Sequence, residues 1–573
     1  MFKIARGRIN NWQVLAAVIF MIFQVVATLY IPNLTSDIVN KGVITGDTDY
    51  IIHTGIEMVV VSLITAIAAF GNVLMASQAS QGLGRKLRSD LFKKILYFTH
   101  DEFDKFETSS LTTRTTNDVI QIQNVMIMML RMMIMAPIML IGASFMAYQK
   151  NAEMTKIFLI SIPVLIIIVG LVMFFAVPLF KAMQKKTDRL NLVFREGLTG
   201  VRVIRAFRQD QFEQDRFKEA NEDYTNNAVK VFSIVAVMFP VVTLVMSGTN
   251  VGITWLGAHY IANQSMEIGN MIAFMTYAMQ ILMSFMILSM VFVFVPRASA
   301  SAARIQEVFE TKSKIDVVAK PAKLKDEPSL SFNDVNFRYH GAERLALNTL
   351  NFKVTKGQTL AIIGGTGSGK STLINLIPRF YDAETGVVSI NGTDVKALST
   401  EDINSQVSMV PQKAILFKGT IRENMAYGKE NATDDEIWHA LEIAQAADFV
   451  KELDGQLDGE VEQGGDNFSG GQKQRLAIAR ALVKDASIYV FDDSFSALDF
   501  KTDLNLRTAL RNDEKISQAV VVIVGQRIST VADADQIVVL DNGDMVGLGT
   551  HQELKENNKT YQEIIKSQLK EDK

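Results

Sequence analysis

The stretch "TLAIIGGTGSGKSTLINLI", residues 359–377, decides the fold of the carboxy-terminal half of the chain. Apolar and β-branched residues lead into a glycine-rich loop, and apolar residues at helical spacing follow it. Gly364, Gly369, Lys370 and Ser371 match the pattern G-x-x-x-x-G-K-[ST] in full. The stretch therefore predicts a strand, a phosphate-binding loop and a helix, which together begin an α/β P-loop domain.

The loop predicts that ATP or GTP binds together with Mg²⁺. Glycines let backbone N–H groups close around phosphates, and the start of the following helix adds positive potential. Lys370 would reach the β- and γ-phosphates, and the hydroxyl of Ser371 would coordinate Mg²⁺. The predicted phosphate-binding residues are Gly364, Gly365, Thr366, Gly367, Ser368, Gly369, Lys370, Ser371 and Thr372.

A second stretch, "SIYVFDDSFSALD" at residues 487–499, reads as a buried strand whose end presents two acids. Asp492 ends the strand and suits the acid that holds Mg²⁺ in a P-loop site. Asp493 follows it, at the position where a base that activates water would lie. A longer glutamate would be expected for that task, so Asp493 raises the question of whether this site hydrolyses ATP.

A third stretch, "NFSGGQKQRLAIARAL" at residues 467–482, contains Ser469, Gly470, Gly471 and Gln472. Two glycines before an amphipathic basic helix create a second anion-binding helix start. One P-loop site does not need two such starts within one domain. The second start is explained if it covers a nucleotide that another subunit holds.

The amino-terminal half carries long apolar runs, each long enough to cross a hydrocarbon core of about 30 Å, which needs about 20 helical residues. They predict an all-α polytopic membrane domain of six helices with long cytoplasmic extensions, embedded in a lipid bilayer. The connections after the second and fourth runs are long and basic, which places them and both chain termini in the cytoplasm. The runs lie roughly at residues 12–33, 51–76, 123–148, 156–180, 232–261 and 269–296.

The resulting division is a membrane domain at 1–310, a linker at 311–328 and a nucleotide-binding domain at 329–573. A formal net charge of −3 argues against a partner that is a nucleic acid, and the absence of cysteine excludes disulfides and thiolate sites.

Within the third run, "MIMMLRMMIM" at Met126–Met135 reads either as ordinary membrane core or as an adaptable surface for substrates. Arg131 in that run faces either a polar cavity or an interface, and both readings stay open.

The order "GGTGSGKST", "VPQKAILFKGTIREN", "FSGGQKQR", "FDDSFSALD" resembles the nucleotide-binding domain of ABC transporters. Six membrane runs before one such domain resemble a half-transporter of the exporter type. The spelling "EQGGDNFSGGQKQRLAIARAL" resembles one subunit of the heterodimeric multidrug exporters of Gram-positive bacteria, the LmrCD and EfrCD type. The bacterial plasma membrane is the expected location.

The resemblance implies roles for matching residues. Tyr339 would stack on adenine, and Gln412 would touch Mg²⁺ and the attacking water. Ser469–Gln472 would close on the γ-phosphate of the partner's nucleotide. Parts of "SSLTTRTTNDV" at 109–119 and "AFRQDQFEQ" at 206–214 would form coupling helices.

Two positions depart from the family pattern. Asp493 stands where the family has a catalytic glutamate, and Gln526 stands where it has a histidine that contacts the γ-phosphate. We therefore expect a site that binds ATP but hydrolyses it poorly, beside a partner half-transporter with intact glutamate and histidine. The expected function is ATP-driven export of amphipathic small molecules such as drugs. Alternatives are a lipid flippase or a peptide exporter, and an ATP-gated homodimeric sensor with little hydrolysis.

Overall fold

The computed structural model describes residues 2–312, 315, 320–325 and 327–571. By their contacts, these residues form two units. The first comprises the residues up to Leu96 together with Thr108–Thr311, and the second comprises Tyr97–Glu107 together with the residues from Lys312 onward. Residues 313, 314, 316–319 and 326 of the predicted linker 311–328 lie outside the described residues.

The first unit is built from helices, and 6 helical spans in the described part of the chain are long and apolar enough to cross a membrane. The prediction of six membrane helices is therefore confirmed. The second span, Thr48–Leu96, has 49 residues, which at about 1.5 Å per residue is roughly two and a half times the thickness of a hydrocarbon core. The spans are Asn11–Val43, Thr48–Leu96, Thr108–Lys150, Ala152–Thr199, Asp210–Ala262 and Ile268–Leu288.

The α-helices that precede the sheet include short elements between these spans. A π-helical turn ends the first span, and two more interrupt the third. In chain order they are α1 (Phe2–Ala5), α2 (Asn11–Asp37), α3 (Thr48–Leu96), α4 (His100–Phe106), α5 (Thr108–Thr113), α6 (Val119–Met128), α7 (Met135–Lys150), α8 (Ala152–Thr155), α9 (Phe158–Thr199), α10 (Val201–Ala206), α11 (Asp210–Ala262) and α12 (Ile268–Glu310), with π-helical turns at Ile38–Val43, Arg114–Asp118 and Met129–Met133. Arg131 lies in the last of these turns and is exposed in the single chain.

The second unit is organised around a 10-stranded sheet in the order β5-β4-β1-β2-β12-β11-β3-β10-β9-β6, beside a separate β7-β8 pair. β11, β3, β10, β9 and β6 run parallel in the centre. The strands are β1 (Ser329–Phe337), β2 (Leu347–Thr355), β3 (Thr359–Gly364), β4 (Thr385–Ile390), β5 (Thr393–Asp394), β6 (Val407–Val410), β7 (Gly419–Thr420), β8 (Glu460–Val461), β9 (Ile488–Asp492), β10 (Val520–Val524), β11 (Gln536–Asp541) and β12 (Asp544–Gly549).

Helices cover the faces of this sheet, as the sequence of the central strands requires. β9 reads IYVFD and β10 reads VVVIV, and every residue of both strands is buried, which is typical of parallel strands covered on both faces. The helices that follow β3 are α13 (Lys370–Asn375), α14 (Thr400–Gln406), α15 (Ile421–Ala426), α16 (Asp434–Ile443), α17 (Ala447–Lys451), α18 (Gly470–Leu482), α19 (Phe500–Asn512), α20 (Ile528–Val531), α21 (His551–Asn557) and α22 (Lys559–Glu571), with 3₁₀ turns at Val395–Ala397, Gln456–Asp458, Gln463–Gly465 and Ile516–Gln518.

The region after the second membrane span is divided between the two units. Residues 109–119, part of which is predicted to form a coupling helix, lie in the first unit, and that role stays a prediction. Tyr97–Glu107 lies in the second unit. Within it, the ring of His100 stacks on that of Phe380 at 4.6 Å. α4 starts here because Glu102 accepts a hydrogen bond of 2.7 Å from the backbone N–H of Thr99 in a capping box. The T-x-x-E pattern at 99–102 is the sequence signal for this helix.

The C-terminal helix α22 is fixed to the sheet by Tyr561. This side chain is fully buried in a cluster with Ile363, Val539 and Leu554. Its hydroxyl lies 2.7 Å from Nδ1 of His551. The ring therefore joins α22 to β3 and β11, the strands that flank the phosphate-binding loop.

We expect Tyr561→Ala to destabilise the second unit by about 3–5 kcal/mol, because it leaves a large cavity in this cluster. The midpoint of thermal unfolding of the full chain, measured by calorimetry, should fall by at least about 6 °C. Tyr561→Phe is the control, since it keeps the ring and removes only the contact with His551. Equal midpoints for the Ala and Phe variants would contradict this assignment of Tyr561.

Candidate functional site

Four loops meet at one edge of the central sheet. The phosphate-binding loop follows β3, and Asp492 and Asp493 stand at the end of β9. Gln412 lies two residues beyond β6, and Gln526 two residues beyond β10. Because the carboxyl ends of parallel strands share an edge, the sheet brings these sequence-predicted residues together.

The phosphate-binding loop has a backbone that requires glycine. Gly367 and Gly369 adopt φ of +80° and +101°, values that side chains other than glycine rarely allow. A Cβ atom at Gly364 would collide with the carbonyl oxygen of Leu540. Nζ of Lys370 donates hydrogen bonds of 2.8 Å to the carbonyl oxygens of Gly364 and Gly365. The lysine amine thus lies against the inside of the loop.

The hydrogen-bond donors of this loop fit a nucleoside triphosphate with Mg²⁺. Burial lowers the pKa of Lys370, while the charges of Asp493 and Asp492 act in the opposite direction, so an anionic ligand would favour the charged amine. The hydroxyl of Ser368 is buried and has no hydrogen-bond partner within the described residues. A Cβ at Gly365 would meet nothing within 4 Å, so the loop is open beside this residue.

Asp492 and Ser371 form the pair expected to hold Mg²⁺. Oγ of Ser371 lies 3.5 Å from Oδ1 of Asp492. Burial, and then the neighbouring charge of Asp493, raise the pKa of Asp492 to about 6, against the smaller effects of Ser371 and Lys370. A divalent cation would supply the positive charge that this buried carboxylate lacks.

Asp493 and Gln526, the two residues that depart from the family pattern, are in direct contact. Nε2 of Gln526 donates a hydrogen bond of 2.7 Å to Oδ2 of Asp493, and Nε2 of Gln412 donates to the same oxygen at 3.3 Å. Asp493 has a φ of +48°, a left-handed conformation that aspartate adopts more readily than most residues. Its backbone N–H donates to the carbonyl of Val524 at 3.1 Å. The carboxylate is therefore held by neutral amides.

Tyr339 lies beside the helix that follows the loop. Its hydroxyl is 2.9 Å from Oγ1 of Thr372, and its ring meets that of Tyr381 edge-on at 5.5 Å. Tyr381 was not predicted from the sequence, because an isolated aromatic residue after the P-loop helix gives no signal of this contact.

Ser469–Gln472 lie at the start of α18 rather than in the loop cluster. Ser469 caps the helix, and Oε1 of Gln472 accepts from the backbone N–H of Ser469 at 2.9 Å. Ser469 and Gly470 are exposed. Within the described residues, the side chains of Ser469 and Gln472 form hydrogen bonds at the helix start itself and not with the phosphate-binding loop. The helix start is thus intact and open on its outer side.

Fold and site together define a P-loop ATPase fused to a membrane domain. A model of the ABC transporter transmembrane region matches residues 14–285, and a model described as ABC transporter matches residues 347–496. An uncharacterized ABC transporter ATP-binding protein of Mycobacterium tuberculosis is 40% identical over 99% of this chain and 98% of its own length. The chain belongs to the ABC transporter family and is an exporter half-transporter with an ATPase domain.

Two further comparisons agree with this assignment. An ATP-dependent lipid A-core flippase of Desulfotalea psychrophila is 32% identical over 86% of each chain. The structure of a bacterial Atm1-family ABC exporter with ATP bound superposes with a TM-score of 0.80 over 97% of this chain and 98% of that one, at 24% identity, and this likeness shows the fold. An ABC ATPase domain implies ATP binding, usually with Mg²⁺.

The raised pKa of Asp492 generates a prediction about stability. Because its pKa is higher in the folded chain than the ordinary value of 3.8, the stability linked to this group is fully present below about pH 4 and is lost as the pH rises through about 6. Asp492→Asn should therefore raise the midpoint of thermal unfolding at pH 7.5 by about 2–4 °C, which corresponds to a gain of about 1 kcal/mol in the free energy of unfolding. The gain should vanish near pH 4.

Calorimetry without nucleotide and with a chelator tests this prediction. The control is Asp454→Asn, which changes an exposed carboxylate and should leave the midpoint nearly unchanged. A gain for Asp492→Asn that stays constant from pH 4 to 7.5 would contradict the assigned burial effect.

Proposed function

We propose that this chain is the degenerate-site subunit of a heterodimeric, ATP-driven exporter. Its own P-loop site binds ATP with Mg²⁺ and hydrolyses it slowly, while Ser469–Gln472 complete the partner's catalytic site. The observation that carries the proposal is the hydrogen bond of 2.7 Å between the amide of Gln526 and the carboxylate of Asp493.

That contact bears directly on the chemistry of hydrolysis. A general base must reach the proton of the attacking water and be free to accept it. The carboxylate of Asp493 is one methylene shorter than a glutamate, and its Oδ2 already accepts from two amides, Gln526 and Gln412. An amide donates hydrogen bonds but does not become cationic at neutral pH, so Gln526 also supplies no full charge to a γ-phosphate.

Binding, by contrast, is supported by the residues that the chain retains. Gly364–Thr372 provide the phosphate cradle, with the amine of Lys370 inside it, and Tyr339 offers an aromatic face to adenine. Ser371, Asp492 and Gln412 would hold Mg²⁺. When bound, Mg²⁺ neutralises charge on the β- and γ-phosphates.

The helix start at Ser469 supports the assignment of a partner. It keeps its cap, its two glycines and an exposed outer side, which is the arrangement that binds anions at a helix N-terminus. A homodimer would combine this intact segment with two poor bases. A partner half-transporter with a catalytic glutamate and histidine gives the segment a productive nucleotide to cover.

Export of amphipathic molecules is supported by a cavity of about 580 Å³ in the first unit. Its lining is mostly apolar, with Met173, Phe180, Met238 and Met286 among its residues. Flexible methionines suit surfaces that accept varied ligands. We place the pair in a bacterial plasma membrane with both termini in the cytoplasm, and we assign amphipathic drugs as its substrates.

A lipid flippase is the second candidate, since one relative carries the name of a lipid A-core flippase. A peptide exporter has the same architecture, and so does an ATP-gated homodimeric sensor. Transport assays with dye, lipid and peptide in vesicles that contain the assembled pair separate the three export functions, and ATP turnover separates them from the sensor.

Turnover by the chain alone should be slow. Purified without a partner, the chain should bind ATP and hydrolyse it at least about tenfold more slowly than the co-purified pair, because its base and its γ-phosphate contact are both compromised. Phosphate release by both preparations, at equal ATPase-domain concentration, gives the comparison. Fast turnover by the chain alone would show that Asp493 and Gln526 suffice for hydrolysis.

The two composite sites of the pair should respond differently to substitution in this chain. Asp493→Asn should keep more than about half of the turnover, whereas Gly470→Asp should lose at least about tenfold, because it places a negative charge against the partner's γ-phosphate. A Cβ at Gly470 meets nothing within 4 Å, so the substitution fits the folded chain. The reverse pattern, with Asp493→Asn inactive and Gly470→Asp active, would refute the division of labour.

A further inference from the structure

The segment Gln526–Ile528, which joins β10 to α20, is hydrogen-bonded to the C-terminal helix. Nε2 of Gln568 donates a hydrogen bond of 2.7 Å to the carbonyl oxygen of Gln526, and Oε1 of Gln568 accepts one of 2.9 Å from the backbone N–H of Ile528. One side-chain amide thus pairs with two backbone groups on either side of Arg527.

The backbone needs this contact. Ile528 is the first residue of α20, and the helix has no side-chain cap from its own N-cap residue, Arg527. The first N–H groups of a helix have no partner within the helix, so the amide of Gln568 satisfies a group that the local sequence leaves open.

The position of Gln568 on α22 follows from the helical repeat. Tyr561, Ile564 and Ile565 pack into the cluster under β3 and β11, and Gln568 lies seven residues after Tyr561, on the same face. The apolar face of α22 therefore ends in a polar residue at the point where the helix meets the backbone of Gln526–Ile528.

A second contact fixes the other end of the segment. The backbone N–H of Gly525 donates to the carbonyl of Ile362 in β3 at 3.1 Å. Between these two attachments, the side chain of Gln526 points its Nε2 at Oδ2 of Asp493, 2.7 Å away. The orientation of Gln526 toward the site thus depends on its backbone being held from both sides.

We propose that Gln568 is a positioning residue, which holds the backbone of Gln526–Ile528 and thereby directs the Gln526 amide to Asp493 and the γ-phosphate. The part of this inference that concerns the γ-phosphate rests on the proposed function. The C-terminal helix is in this way a structural component of the nucleotide site, although it lies outside the segments that bind nucleotide.

The experiment uses the full chain with Gln568→Leu, a substitution of similar size that lengthens the apolar face of α22 and keeps the helix docked. Hydrogen–deuterium exchange in residues 525–530 should become about fivefold to tenfold faster, as expected for the loss of ordinary hydrogen bonds. The control is Gln562→Leu on the same helix, whose amide bonds to the carbonyls of Lys555 and Glu556 instead. Unchanged exchange in Gln568→Leu would overturn the inference.

The second readout is the preference for ATP over ADP, measured as the ratio of their dissociation constants with Mg²⁺. Gln568→Leu should reduce this preference by about threefold or more, to the level of Gln526→Ala, and the double variant should show no further reduction. Simple destabilisation would weaken ATP and ADP equally. Faster exchange together with an unchanged preference, where Gln526→Ala does change it, would refute the positioning role.

The two readouts also separate the inference from the proposed function. If Gln526→Ala leaves the preference for ATP unchanged, the γ-phosphate contact of the proposed function is wrong. The exchange of the Ile528 region then still decides whether Gln568 holds the segment, because that measurement involves no nucleotide and no partner.

Discussion

The parallel pairing of β3, β10 and β9 is the constraint on which the nucleotide site depends. β10 lies between the other two strands, with Val524 opposite both Ile362 and Asp492. The register continues into the loops, since the N–H of Asp493 bonds to Val524 and the N–H of Gly525 bonds to Ile362. The loops after the three strands therefore leave the sheet side by side, and residues far apart in sequence face one another.

This geometry changes the meaning of the two departures from the family pattern. In sequence, Asp493 and Gln526 are separate substitutions at chemical positions. In the structure their side chains form a hydrogen bond of 2.7 Å, so the effects of changing them should not be additive. A short carboxylate held by an uncharged amide is one coherent arrangement, and it is consistent with a site that binds ATP without hydrolysing it quickly.

The sequence predicts the membrane helices better than it predicts which unit each segment between them joins. The six membrane helices were predicted because a crossing segment must be apolar over a continuous length, and their long extensions were predicted as well. The residues at which the helices end were not: the apolar run at 51–76 lies in a helix that spans Thr48–Leu96. The segment Tyr97–Glu107 was also missed, since its place in the second unit depends on contacts such as that of His100 with Phe380. These contacts join residues 280 positions apart.

The sequence by itself determined the P-loop, the strand that ends in Asp492, the capped helix start at Ser469 and the apolar spans, because each depends on residues that are neighbours in the chain. Only the tertiary structure decided that Gln526 meets Asp493 and that Gln568 holds Gln526 and Ile528. Those pairs are 33, 42 and 40 residues apart, and polar side chains show no pattern that identifies distant partners. The register of the sheet and the docking of α22 choose them, since buried apolar packing fixes where the polar groups come to lie.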